Sequence, residues 1–283
     1  MCSYGQFCRL TLQCFATDIT LANSTATMKR GTCHLCSDDK ELCASHALPN
    51  SAFRFLFKQG SGKAVMFVDD ETTKIAYSSE SWDEYLLCKD CEDYLNLQYD
   101  QYGISVLKGS ACTVNRGTHG VTFAGVNKQR LRMFVLSVVW RMAISPNRAY
   151  GNVELPYELE MEIRAALREH RNVRPALAEV GLCRLKESSG IKALSEENLQ
   201  RMLVAPFTRD FIAFRSTCFL LFGFVIEAFF PRPPKKITRG VGMCSGPSSV
   251  ILLPFQEVAA FPELLKLLVG ALDKHEQGLS RVG

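Results

Sequence analysis

Apolar positions between residues 128 and 144 recur at helical spacing. Leu131, Val135, Val138 and Met142 fall on one face of a 3.6-residue period, so this stretch predicts the clearest helix of the chain. Lys128, Arg130, Arg132 and Arg141 give that helix a basic polar component, and Ser145-Pro146-Asn147 ends it. Leu155-Pro156 leads into a second amphipathic helix with Leu159, Ile163 and Leu167 in line. Its charges alternate in sign, which predicts a solvated face; a phosphate contact through Arg164, Arg168, Arg171 and Arg174 is the alternative. Ser195 predicts the N-cap of a short third helix, with Glu196 and Glu197 in its first turn. Pro262 stands at the first turn of a last helix over residues 263–275.

After residue 208 the pattern changes to runs of Phe, Val, Ile and Leu. Residues 211–218, 219–230 and 250–253 predict strands, and Pro231 to Lys236 an exposed loop. Residues 211–230 are the most membrane-like stretch, but Arg215 and Glu227 leave only eleven uncharged residues between them. A span needs about 20 apolar residues, so the reading is buried strands and no membrane. Nearer the N-terminus the elements are shorter. Residues 53–58 predict a short helix or strand, Gly60-Ser61-Gly62 a loop, and 64–68 and 74–77 two short strands. Residues 92–102 read as a helix ended by Gly103, and 104–125 as loop with weak strands. Pro49 predicts a turn that leaves His46 at the end of a short strand.

Composition adds one strong signal. Of 12 cysteines among 283 residues, four form Cys33-His34-Leu35-Cys36 and Cys88-Lys89-Asp90-Cys91. Two Cys-x-x-Cys knuckles supply four thiolates, the donor set of a closed tetrahedral zinc site. The competing readings are redox pairs, disulfides or unconnected core thiols. The other eight cysteines show no framework spacing. No basic start followed by an apolar core marks residues 1–27 as a secretory signal. A reducing cytoplasm is therefore the expected compartment. Residues 1–27 predict a flexible N-terminal extension, and Met28 could equally be the natural start. Charge is unevenly spread: residues 33–100 carry 6 basic and 13 acidic side chains, and the remainder 27 basic and 16 acidic. A basic remainder suits phosphate backbone.

The order Cys-x-x-Cys, Ser45-His46-x-x-Pro49, Leu87-Cys88-x-x-Cys91-Glu92 resembles the treble-clef nucleases of the HNH (ββα-metal) superfamily. More closely, it is similar to uncharacterised bacterial proteins with this Ser-His and Cys-Glu version of the pattern. The resemblance is sharpest over residues 33–92 and continues more weakly through 135–145, including Trp140-Arg141. It implies a small treble-clef zinc module over residues 28–104; the helices and strand runs read above add an α+β domain over 105–283 with an antiparallel sheet, so the expected fold class is α+β. The resemblance implies His46 as general base on water, Zn2+ on Cys33, Cys36, Cys88 and Cys91 as scaffold, and Mg2+ or Mn2+ at the scissile phosphate of DNA. An imidazole titrates near neutral pH, which suits the first role. Three positions depart from the pattern. Ser45 stands where an acidic residue or histidine is usual, and Glu92 where a histidine is usual. No Asn precedes Leu87-Cys88, Asp83 and Glu84 being the nearest polar residues. Glu92, helped by Asp93 or Asn96, could ligate a hard cation. Two functions follow: a metal-dependent endonuclease with His46 and Glu92 in its catalytic site, or a non-catalytic zinc module that binds nucleic acid or a protein.

Overall fold

Pro49 and the two cysteine knuckles set the first third of the architecture. The computed structural model describes residues 29–59, 64–67, 76–78, 82–187 and 194–276. Strands β1 (Lys29–Thr32) and β2 (Asp39–His46) form a hairpin whose turn carries the first knuckle. Helix α1 (Asn50–Gln59) starts at Pro49, whose carbonyl accepts the Ala52 N–H at 2.8 Å. Strands β3 (Ala64–Phe67) and β4 (Ala76–Ser78) follow. Strand β5 (Asp83–Cys88) then returns antiparallel to β2 and ends on the second knuckle. Helix α2 (Lys89–Leu95) begins inside that knuckle and runs through one π-helical turn, Asn96–Asp100, into α3 (Gln101–Leu107).

The rest of the chain is built on one sheet and one central helix. In order come β6 (Thr113–Arg116), β7 (Gly120–Ala124), α4 (Lys128–Ile144), α5 (Tyr157–Arg168) and β8 (Glu179–Lys186). Then come α6 (Glu196–Arg201), β9 (Met202–Val204), β10 (Phe207–Asp210), β11 (Arg215–Leu221) and β12 (Phe224–Phe230). The described chain closes with α7 (Lys235–Thr238), β13 (Ile251–Glu257) and α8 (Pro262–Glu276). The fold is α+β. The large sheet has the order β10-β11-β12-β8-β13-β7-β6. It is antiparallel except for one pair, β8 and β13, which run parallel over Phe255↔Arg184 to Glu257↔Lys186. β13 spends its first half against β7 and its second half against β8, joining the two parts of the sheet. Two three-stranded sheets, β1-β2-β5 and β4-β3-β9, stand apart from it. No helix among the described residues is long and apolar enough to cross a membrane.

Helix α4 is the centre of the packing. Every residue from Leu131 to Met142 is buried, Arg132 and Arg141 included. A helix buried on all sides is covered on all sides, and α4 packs against α3, α5, β8 and β12. Its arginines are therefore not a solvated stripe. Arg132 donates to the carbonyls of Val173 at 3.0 Å and Ala178 at 2.8 Å, and lies 4.0 Å from Glu179. The arginines expected on the face of α5 are also mostly engaged. Arg171 and Arg174 pair with Glu162, and Arg164 bonds to Ser37 and the Leu35 carbonyl, tying α5 to the first knuckle.

Two expectations are corrected here, the helix end at Gly103 and the strand break after Cys218. Gly103 does not end the helix that follows the second knuckle; it sits inside α3. A Cβ there would lie 2.2 Å from the Phe134 ring, so the glycine serves close approach of α3 to α4 rather than termination. Residue 104, the expected end of the first module, also lies inside α3, and one apolar core runs from Cys33 through α4 to Leu253. The break between the two apolar strands falls at Phe222-Gly223, not after Cys218. Both residues have positive φ, 53° and 76°, as a two-residue hairpin turn requires. The loop at 60–62 and the segment 1–27 lie outside the described residues.

Candidate metal centre and the buried polar cluster beside it

The knuckles are shaped by their own backbone. The Ser37 N–H bonds to the Cys33 carbonyl at 2.9 Å and Ser37 takes a positive φ of 69°, which curls the chain around the two sulfurs. The second knuckle is brought over by strand pairing, with Leu42 opposite Cys88. The Cys88 N–H then points at Cys33 Sγ at 3.4 Å, and the His34 N–H bonds to the Leu86 carbonyl at 3.1 Å. His34 itself is exposed, as its place inside the knuckle predicts.

Cys33, Cys36, Cys88 and Cys91 converge, with all four sulfurs within 4.8 Å of one another. Cys36 and Cys88 are 3.9 Å apart. Disulfide bonding would require about 2.05 Å. Four sulfurs each about 2.3 Å from a central ion in a tetrahedron stand about 3.8 Å apart, so the spacing is that of a four-coordinate metal site. Burial, then the neighbouring thiols of Cys88 and Cys33, pushes the Cys91 thiol far above its ordinary value. Cys33 is drawn below its ordinary value although burial opposes this, because the backbone N–H groups of Cys88, Cys36 and Leu35 bond to it. Sulfurs packed this closely call for a cation among them. The four are positioned to hold a metal ion, and a four-thiolate site is coordinatively closed.

His46 and Glu92 lie next to this centre but face a different environment. The β2–β5 pairing carries a bulge between Cys43 and Ala44, where Leu86 is left over. Such a bulge redirects the side chains beyond it. Ser45 is fully buried; its hydroxyl accepts the Leu87 N–H at 3.2 Å and lowers the Glu92 carboxyl, which it also touches. Burial still dominates at Glu92 and raises it above the usual carboxylate range, against the pull of Arg141 and Ser45.

His46 ends β2 opposite Asp83 and is only 8% exposed. Its ring lies 5.9 Å from that of Phe53. Burial holds the imidazole below its ordinary pKa, more than Asp83 raises it, with Arg141 adding to the depression. It is therefore neutral at pH 7. Its Nε2 and Glu92 Oε2 are both buried with no hydrogen-bond partner among the described residues.

A buried ion pair stands between these two side chains and the core of the fold. Arg141, fully buried, makes a two-pronged pair with Asp100 at 2.9 and 2.6 Å. It also donates to the His46 carbonyl at 3.0 Å and to the Ser137 carbonyl at 3.3 Å. Burial works against its charge, but Asp100 more than offsets this and Arg141 stays firmly protonated. Asp100 reaches it from the π turn, an irregularity that recurs at functional sites. The sequence signal for this pair is Arg141 itself, a cation between Trp140 and Met142 that burial obliges to find a carboxylate.

The chemistry expected of a second, hard cation does not fit this arrangement. Among the described residues the only group of three or more His, Cys, Asp or Glu side chains within metal reach is the four cysteines. Asp93 is turned outward to Lys89, Glu84 accepts from Asn147 at 3.3 Å, and the charge beside Glu92 is already balanced by a guanidinium. Comparison with protein families, with curated proteins and with solved structures found no match.

Proposed function

We propose that this chain is a zinc-organised, HNH-like module fused to an α+β sheet, and that it binds nucleic acid, DNA first, without cutting it. One observation carries the non-catalytic half: the His46 imidazole nitrogen that would have to reach water is buried. A general base must lie within hydrogen-bond reach of the proton it removes. The Arg141–Asp100 pair beside it supplies fixed internal charge in place of a hard cation. Zinc is the favoured ion at the cysteines, since four sulfur donors and no oxygen suit a structural zinc. Nucleic acid is favoured by the basic excess outside residues 33–100. The nine described cysteines are all free, in keeping with a reducing cytoplasm.

A second reading, the metal-dependent endonuclease, is favoured by a different observation. His46 Nε2 and Glu92 Oε2 are both orphaned, and buried polar atoms without partners concentrate where a site awaits a water or an ion. One experiment separates the two. The full chain is incubated with supercoiled plasmid in magnesium or manganese, and binding to a duplex is titrated across salt. The expected result is binding that weakens steeply with salt and no nicking. Metal-dependent nicking abolished by His46→Ala overturns the non-catalytic reading. A complex insensitive to salt points instead to a protein partner.

A further inference from the structure

A cleft of about 550 Å³ opens where α7, the loop after it and β13 meet the first residue of α4. Lys128, Arg232, Lys235 and Arg239 all line it, and none of the residues lining it is a carboxylate. Among the described residues only Arg232 of these four has an ion-pair partner, Glu179 at 3.2 Å, which Arg132 also approaches. Even so, Arg232 Nε is buried without a hydrogen-bond partner among the described residues. No carboxylate among the described residues pairs with Lys128, Lys235 or Arg239. Like charges gathered in one concavity repel one another and focus a positive potential there. They persist without local partners where an anion is the intended occupant.

The walls are built rather than loose. The Leu182 N–H bonds to the Gly242 carbonyl at 2.9 Å and the Cys244 N–H to the Val180 carbonyl at 2.8 Å, fixing the loop to strand β8. Gly242 has a φ of 82°, and a Cβ there would meet the Leu182 carbonyl oxygen at 2.3 Å. On the same cleft, Val241 and Leu252 expose apolar surface. Cations beside apolar surface, in a volume within the range of small-ligand sites, fit a nucleotide: phosphate on the cations, sugar and base on the apolar wall.

We propose that this cleft is a phosphate-binding site for a nucleotide unit, taken either as free nucleotide or as part of a nucleic-acid strand. The strand form rests on the nucleic-acid reading above. The test uses the full, metal-loaded chain, a labelled single-stranded DNA oligonucleotide and ATP. Three proteins are compared: wild type, Lys235→Glu with Arg239→Glu, and a control with Arg148→Glu and Lys186→Glu. All four positions are exposed, so folding is preserved. The expected result is a loss of at least about tenfold in oligonucleotide affinity for the cleft variant only. Its salt dependence should also fall by about 1.4 in log–log slope, for two contacts to a single strand. ATP that binds wild type but not the cleft variant identifies free nucleotide as the source. ATP that fails to bind while the strand does identifies the backbone. If oligonucleotide binds all three proteins equally and ATP binding does not depend on the cleft, the cleft proposal is overturned and the nucleic-acid reading stands. Should only ATP bind, and only through the cleft, the cleft stands and that reading fails. Binding of neither ligand overturns both.

Discussion

Replacing Arg141 with Met should cost far more than replacing Arg141 and Asp100 together. Arg141 is fully buried and the Asp100 side chain is 4% exposed. Removing one partner leaves an uncompensated charge in the core, which costs about 3–5 kcal/mol. The His46 carbonyl also loses a donor, about 1 kcal/mol more. Arg141→Met is therefore expected to be destabilised by about 4–6 kcal/mol, and Asp100→Leu by about 3–5 kcal/mol, because it strands the guanidinium instead. The double variant replaces the pair by apolar volume and should lose only about 1–2 kcal/mol, so the two changes are strongly non-additive. Urea titration of the metal-loaded chain measures all three. A pH series supplies an independent check on Arg141→Met. Burial already raises Asp100 above its ordinary value against the pull of Arg141; removing that guanidinium should raise it further, so the folded state takes up its proton first. That contribution is present below the unfolded value of about 3.9 and is lost as pH rises through the folded one. The deficit of Arg141→Met should then be smaller at pH 4 than at pH 7. A double variant as unstable as the sum of the singles, with a deficit indifferent to pH, would refute the assignment of an ionised pair.

Three further outcomes are expected. Cys88→Ser should abolish stoichiometric metal binding measured by elemental analysis, and stripping the wild type with chelator should unfold the module around the knuckles, reversibly on adding zinc, as seen by far-UV circular dichroism. Gly103→Ala should lower stability by about 1–3 kcal/mol through contact with Phe134, with partial recovery when Phe134→Leu opens the space; an unchanged melting midpoint counts against the close packing of α3 on α4. His46, held neutral by burial, contributes stability above about pH 6.5 that is lost as pH falls toward its depressed folded value, by up to about 1.4 kcal/mol per pH unit; His46→Gln should remove that slope from the difference between the two proteins.

The parts legible in the sequence are those decided by local chemistry. Helix α4 runs over Lys128–Ile144 as its apolar period predicts, and Ser195 caps α6 through a bond to the Asn198 N–H. The two knuckles declare their cluster because four sulfurs at that spacing serve few purposes. What the sequence hides is decided at a distance. Strand β8 is buried at nearly every position, so it lacks the alternation that marks a half-exposed strand. The Phe222-Gly223 turn is masked by a buried phenylalanine in a left-handed conformation, packed 4.9 Å from Phe55. Arg132 and Arg141 read as surface charge because their partners, Glu179 and Asp100, come from other elements. The burial of His46 is equally invisible: the motif fixes its place at a strand end, but Phe53 and Arg141 close over it from elsewhere.

The pairing of β13 has a consequence for the order in which the molecule can assemble. Ligands of the cysteine cluster all arrive between residues 33 and 91, so that part of the chain can close on its metal early. Strand β7, at residues 120–124, finds its partner only in residues 251–254, and β8 meets residues 255–257 of the same strand. Until those residues emerge, β7 and β8 each carry an unpaired edge able to recruit a strand from another chain. Long-range pairing of this kind slows folding. The last strand to be made is thus the one that converts two exposed edges into a sheet, and the interval before it arrives is when the chain is most prone to misassemble.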